Sequence, residues 1–100
     1  MPTHTFSTHL TFINDPGHGW LRVPLTDIAA LGIEEQITPY SYIEGNFAYL
    51  EEDLDAPRFL EVLTAQGLPQ PEITDQYVER FSRHKDPFPH DPAFWDKLRS

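Results

Sequence analysis

Histidine and aspartate side chains are the first candidates for chemistry in this sequence. Histidine nitrogens and aspartate oxygens suit zinc, manganese or iron. The six residues that could converge on one metal ion are Asp15, His18, His84, Asp86, His90 and Asp91. Their spacing argues against a metal site, because no His-x-x-x-His or His-Glu-x-x-His pair lies on a predicted helix. We therefore expect turn and surface roles for the histidines, with no bound metal. A small metal- or His-dependent enzyme centred on Asp15 and His18 is the alternative.

Other catalytic patterns are also missing from the sequence. The serines lack a Gly-x-Ser-x-Gly context, and the turn over residues 15–19 lacks the lysine and the glycine spacing of a phosphate-binding loop. There is no cysteine among the 100 residues, which removes thiolate nucleophiles and fits a reducing cytoplasm. No apolar run approaches the length that spans a bilayer. We expect a cytoplasmic, non-enzymatic protein without a cofactor.

Carboxylates give the strongest signal in the chain. Between Val23 and Pro57 there are eight acidic residues and no lysine or arginine, in a protein whose formal net charge is -9. Five of the seven basic residues lie at or after residue 80. This asymmetry predicts a negative pole, which repels nucleic acid and favours a basic protein surface as partner.

The predicted partner-binding surface has an acidic and an aromatic part. The acidic residues are Glu34, Glu35, Glu44, Glu51, Glu52, Asp53 and Asp55, and the aromatic residues are Tyr40, Tyr42 and Tyr49. Carboxylates on a rigid hairpin and at a helix start can imitate the spacing of phosphates, while aromatic side chains supply apolar anchoring. The alternative interpretation is that the negative charge keeps the protein in solution.

Alternating apolar and polar residues predict strands. Residues 4–13 alternate with a period of two, a dense turn follows over 14–19, and residues 20–23 continue as a second strand that pairs with the first. Gly45-Asn46 between two alternating runs predicts a two-residue hairpin that places Tyr42 opposite Tyr49 and Tyr40 opposite Glu51. Residues 72–81 fit either a helix or a strand.

Capping residues and glycines predict the helices. Thr26 or Asp27 is expected to cap a short helix that ends at Gly32, and Asp55 to cap a helix that ends at Gly67. A third helix is expected to start after Asp91. The predicted fold is a single α+β domain over 1–100: an antiparallel sheet (the N-terminal strand pair and the Gly-Asn hairpin) covered by two or three short helices, with a Pro- and aromatic-rich segment over 84–100.

Several segments within residues 10–60 form a recognisable pattern. They are Asp-Pro-Gly-His-Gly-Trp-Leu at 15–21, Val-Pro at 23–24, Ala-Leu-Gly-Ile at 30–33, Tyr-Ser-Tyr at 40–42 and Tyr-Leu-Glu-Glu-Asp-Leu-Asp-Ala at 49–56. The pattern resembles small uncharacterised proteins of phages, plasmids and their bacterial hosts. That resemblance implies a mobile-element context, in which accessory proteins block host defence. The expected function is thus inhibition of a host nucleic-acid-handling complex, of the anti-CRISPR or anti-restriction type. A housekeeping protein-interaction module is a further alternative.

Overall fold

The framework of the protein is a mixed β-sheet with helices on one face. The structure is a computed structural model that describes residues 4–81 and 85–99. Within those residues the strands are β1 (His9–Asn14), β2 (Gly19–Pro24), β3 (Tyr42–Glu44), β4 (Phe47–Glu51), β5 (Glu72–Tyr77) and β6 (Asp86–Pro87). The helices are α1 (Leu25–Leu31), α2 (Asp55–Ala65) and α3 (Pro92–Arg99), and a 3₁₀ turn covers Glu34–Gln36. The α+β class is confirmed.

The order of the described strands is β5-β1-β2-β4-β3-β6. Four of the neighbouring pairs are antiparallel, but β5 runs parallel to β1 with Ile73 opposite Leu10. The four predicted strands are antiparallel as expected, and β5 adds a parallel strand at one edge that the prediction did not include. Residues 72–81 were predicted as either a helix or a strand. Residues 72–77 form a strand, and all six are exposed.

The Gly45-Asn46 hairpin has the predicted register. Tyr42 lies opposite Tyr49, and Gly45 has a φ of 59°, the left-handed conformation that glycine adopts at low cost. The predicted pairing of Tyr40 with Glu51 is wrong, because β3 begins at Tyr42. The Glu51 amide instead donates a hydrogen bond to the Ser41 hydroxyl (3.0 Å).

The main core lies between the sheet and the helices. Apolar side chains of the central strands pack there against helical residues; the fully buried members include Leu21, Val23, Ile28, Leu50 and Trp95. Trp95 lies in α3, and its indole N–H donates to the Pro89 carbonyl (2.8 Å). The aromatic C-terminal segment, Phe88 included, is therefore part of this core.

The opposite face of the sheet carries a smaller cluster. Ile13, Trp20 and Tyr49 project from β1, β2 and β4, and Phe81 from the segment after β5 packs on them. The Trp20 and Phe81 rings are stacked, with centroids 3.7 Å apart and planes 12° from parallel. The aromatic side of the hairpin thus contributes to a second buried layer.

The helix C-termini follow the predicted glycines. Gly32 and Gly67 have φ values of 69° and 73°, and the Leu68 amide donates to the Leu63 carbonyl (2.9 Å), which closes α2. These endings are confirmed.

The N-terminal caps differ from prediction. Helix α1 follows Pro24 without a side-chain cap, so neither Thr26 nor Asp27 caps it. Asp27 is buried and instead bonds the His4 ring (2.6 Å) and the Ser7 amide (3.3 Å). Helix α2 is not capped by Asp55 either, because the Asp55 carboxylate points inward to other partners.

Candidate partner-binding site

We call the face of the sheet that carries the Trp20–Phe81 cluster the second face. A surface recess lies at one end of it, where β2 and β4 meet the start of α2. Its volume is about 350 Å³, and it is lined by His18, Gly19, Trp20, Tyr40, Tyr42, Glu51, Glu52, Asp53 and Leu54. This volume is near the lower limit for ligand sites. Three aromatic residues, one histidine and three carboxylates therefore share one concave surface, which we call the aromatic-acidic recess.

Strand pairing builds the floor of the recess. Trp20 on β2 lies opposite Glu51 on β4, so both side chains project to the same face of the sheet. Phe81 stacks on the indole of Trp20, a residue that is 5% exposed. Tyr40 is 69% exposed and forms an open wall. The recess thus combines a rigid floor with one accessible aromatic side chain.

Glu51 organises the acidic side of the recess. Its carboxylate accepts hydrogen bonds from the backbone amides of Asp53 (2.9 Å), Leu54 (2.5 Å) and Asp55 (2.8 Å). These amides belong to the approach and the first residue of α2, where free N–H groups favour a negative charge. Glu51 therefore caps α2, the role that the sequence analysis gave to Asp55.

Glu52 and Asp53 are the carboxylates that remain available. Both side chains are exposed, and neither is ion-paired within residues 4–81 and 85–99. A carboxylate oxygen of Glu52 lies 3.1 Å from the position that a Cβ on Gly19 would occupy. The Glu52 carboxylate therefore lies close to Gly19, another residue that lines the recess.

The turn beside the recess is held by Asp15. Its carboxylate accepts hydrogen bonds from the amides of Gly17 (2.9 Å), His18 (2.8 Å) and Phe81 (3.3 Å). The first two of these bonds are the main reason that the pKa of Asp15 is lowered. The turn also needs Gly19, because a Cβ there would lie 2.3 Å from the Phe12 ring.

These contacts bear on the alternative of an enzyme centred on Asp15 and His18. The Asp15 carboxylate bonds the His18 backbone rather than orienting its ring, and the ring lies 5.8 Å from that of Trp20. Over residues 4–81 and 85–99, no three His, Asp or Glu side chains are grouped so as to hold a metal ion. His84, one of the six candidate ligands, falls outside the described residues.

The structure divides the predicted partner-binding surface. Tyr40, Tyr42, Glu51, Glu52 and Asp53 come together in the recess. Glu44 lies at the turn end of the hairpin, opposite Phe47 of β4. Phe47 is four residues from Glu51, a distance of about 13 Å along the strand. Glu35 is exposed at the 3₁₀ turn and does not line the recess.

Three predicted surface residues are buried instead. The Glu34 carboxylate forms a two-pronged ion pair with the Arg99 guanidinium (2.6 and 3.1 Å), which lowers the pKa of Glu34. Asp55 is 1% exposed and accepts from the hydroxyls of Thr38 (2.7 Å) and Ser41 (2.5 Å). Tyr49 is 7% exposed in the second cluster. All three side chains are buried, so little of their surface is open to a partner.

Glu44 belongs to a different arrangement at the other end of the second face. Its carboxylate lies 3.3 Å from the Lys85 ammonium, whose side chain is 7% exposed. The same ammonium lies 4.6 Å from the ring centroids of both Tyr49 and Phe81. Aromatic rings and one carboxylate thus surround a lysine supplied by the chain itself.

His18 and Trp20 line the recess but were not among the predicted partner-binding residues. Their signal was the Gly-His-Gly-Trp turn, but its link to Glu51 depends on the β2–β4 pairing, which joins residues about thirty positions apart. No protein-family model, curated protein or solved structure matches the chain. Among the described residues, no helix is long and apolar enough to cross a membrane.

Proposed function

We propose that this chain is a non-enzymatic protein-binding module that docks on a basic protein surface through the aromatic-acidic recess and its rim. The observation that carries the proposal is the position of Glu52 and Asp53. Their exposed carboxylates have no cationic partner in the described part of the chain, and they line the same recess as the exposed Tyr40. Concave surfaces with aromatic anchors and complementary charge are typical of protein interfaces.

The proposed partner is a host complex that handles nucleic acid. Such a complex presents lysine and arginine along its nucleic-acid channel, and a protein of net charge -9 is attracted to that channel. The resemblance to mobile-element proteins adds the context of host defence. We therefore propose inhibition of a defence complex of the anti-CRISPR or anti-restriction type.

The experiment uses bacterial strains that each carry one CRISPR or restriction system. The chain is expressed in each strain, and the plating efficiency of a targeted phage is measured. We expect the wild-type chain to raise plating in at least one strain. The Glu52→Lys/Asp53→Lys variant should fail there, because it reverses the charge of the rim. No protection in any strain would contradict the inhibitor function.

A matched variant controls for the general loss of negative charge. Asp75→Lys/Glu79→Lys makes the same change in net charge at exposed positions in and after β5, far in sequence from the recess. This variant should protect as well as the wild type does. Equal loss in both variants would show that net charge alone matters, and full protection by the Glu52/Asp53 variant would exclude the recess as the docking surface.

Salt dependence of binding provides a second readout once a responding strain has identified the partner. Association with the purified partner should slow as salt rises, since exposed charges are screened over about 8 Å at physiological ionic strength. The slope should be smaller for the Glu52/Asp53 variant than for the Asp75/Glu79 variant. An association rate that does not change with salt would contradict docking by charge.

A further inference from the structure

We propose that the aromatic-acidic recess binds one alkylammonium group, the side-chain end of a lysine or methylated lysine on the partner. This inference rests on the proposed function and specifies the group that the recess recognises. Ammonium groups are attracted to the faces of aromatic rings and to carboxylates. The recess brings Trp20, Tyr40 and Tyr42 together with Glu52 and Asp53.

The chain already contains a site of this kind. Lys85 places its ammonium 4.6 Å from two aromatic centroids and 3.3 Å from the Glu44 carboxylate. The Lys85 site and the recess lie on the same face of the sheet. Tyr49 at the Lys85 site is the cross-strand partner of Tyr42, which lines the recess. At the Lys85 end the chain supplies its own cation, whereas no lysine or arginine among residues 4–81 and 85–99 lines the recess.

The lining of the recess excludes other classes of ligand. Three carboxylates disfavour phosphates and other anions. The carboxylate of Glu51 already accepts from three backbone amides, which leaves Glu52 and Asp53 as the carboxylates available to contact a ligand. Over residues 4–81 and 85–99, the acidic residues do not form a metal-binding group. A ring-lined site with two free carboxylates fits an organic cation best.

The direct test is a titration of the full-length, ¹⁵N-labelled chain with small probes, followed by NMR. The probes are the Nα-acetyl methylamides of lysine, Nε-trimethyllysine, arginine and norleucine. We expect the two alkylammonium probes to shift the Trp20 indole N–H signal saturably, with Kd values on the order of millimolar for so small a ligand. The Trp95 indole lies in the main core, and its signal should stay in place.

Two pairs of variants localise the binding. Tyr40→Ala should weaken it about two- to fivefold, as expected for loss of one exposed cation–π contact, whereas Tyr77→Ala should not. Tyr40 and Tyr77 are 69% and 62% exposed, so the pair controls for loss of a surface tyrosine. Glu52→Gln should also weaken binding, and Glu79→Gln should leave it unchanged.

Several outcomes would overturn the inference. Norleucine binding as tightly as lysine would show simple apolar binding, and tighter binding of arginine would assign the recess to a guanidinium. Unchanged affinity in both Tyr40→Ala and Glu52→Gln would place the probe elsewhere.

Absence of binding, combined with loss of phage protection in the Glu52/Asp53 variant, would overturn this inference alone. Probe binding without protection in any strain would overturn only the inhibitor function.

Discussion

The two faces of the sheet are covered by different kinds of structure. Three helices cover one face and enclose a largely aliphatic core that includes Leu50 and Trp95. On the other face Phe81, which follows β5, packs on Trp20 in a smaller cluster of four buried residues: Ile13, Trp20, Tyr49 and Phe81. The comparison shows where a site can form: the helices fill their face, whereas the described residues of the segment after β5 cover only part of the other face and leave the recess beside them.

The two faces also differ in what holds their covering structure. The helices are held by extensive apolar burial, which is roughly proportional to the area removed from water. The described residues after β5, 78–81 and 85, are held by specific contacts that include the Trp20–Phe81 stack, the bond from the Phe81 amide to Asp15 and the ion pair of Lys85. We therefore expect the second face to open at a lower free energy than the first.

The largest expected effect is on the helix-covered face. Trp95→Ala removes the largest fully buried side chain among the described residues and should lower the free energy of unfolding by about 3–5 kcal/mol. Chemical denaturation measures this change. Trp95→Phe keeps most of the packing and should lose less. A loss below about 1 kcal/mol for Trp95→Ala would mean that α3 contributes little to the core.

Phe81→Ala tests the second face and should have an intermediate effect. Removing the ring that stacks on Trp20 should cost about 3 kcal/mol, the lower end for a buried phenylalanine, because Phe81 packs in the smaller of the two clusters. The indole signal of Trp20 should shift while that of Trp95 does not. A loss as large as that of Trp95→Ala, with both signals displaced, would show that the two faces unfold as one unit.

Asp15→Asn should have the smallest effect, one that depends on pH. The amide oxygen of Asn can still accept from Gly17 and His18, but its NH₂ group cannot accept from Phe81. The pKa of Asp15 is lowered in the folded state, so the ionised carboxylate stabilises the fold at neutral pH. This contribution disappears as the pH falls through the lowered pKa.

The measurement is the difference in unfolding free energy between wild type and Asp15→Asn at several pH values. The difference should be full at pH 7 and shrink as the pH falls below about 4, the ordinary range of an aspartate. A difference that stays constant down to pH 2 would contradict a role for the charge of Asp15.

Local signals predicted the local structure well. The Gly45-Asn46 turn gave the register of β3 and β4, and Gly32 and Gly67 gave the ends of two helices. These features depend on the backbone conformations of a few adjacent residues, which is information that a sequence carries directly. The parallel strand β5 carries no such signal, because its six residues are exposed on both faces and show no alternation.

Only part of the candidate site could be predicted, because the sequence carries information about neighbouring residues more directly than about distant ones. The charge pattern indicated Glu51, Glu52 and Asp53, which are adjacent in the chain and stay together in the fold. It also indicated Glu34 and Asp55, whose burial depends on Arg99 and Ser41 from other parts of the chain. A run of like charges therefore shows where acids lie in sequence, but not which of them find internal partners.

The parallel pairing of β5 with β1 has a consequence for the order in which the chain folds. His9 and Thr74, which bond across this pair, are 65 positions apart, whereas both hairpins close within a few residues. Long-range pairs form late because the intervening chain must first be brought together. During synthesis, β1 must therefore wait with one edge unpaired until residue 77 has left the ribosome. An arrested chain that stops before β5 would expose that edge, and unpaired strand edges are prone to aggregation.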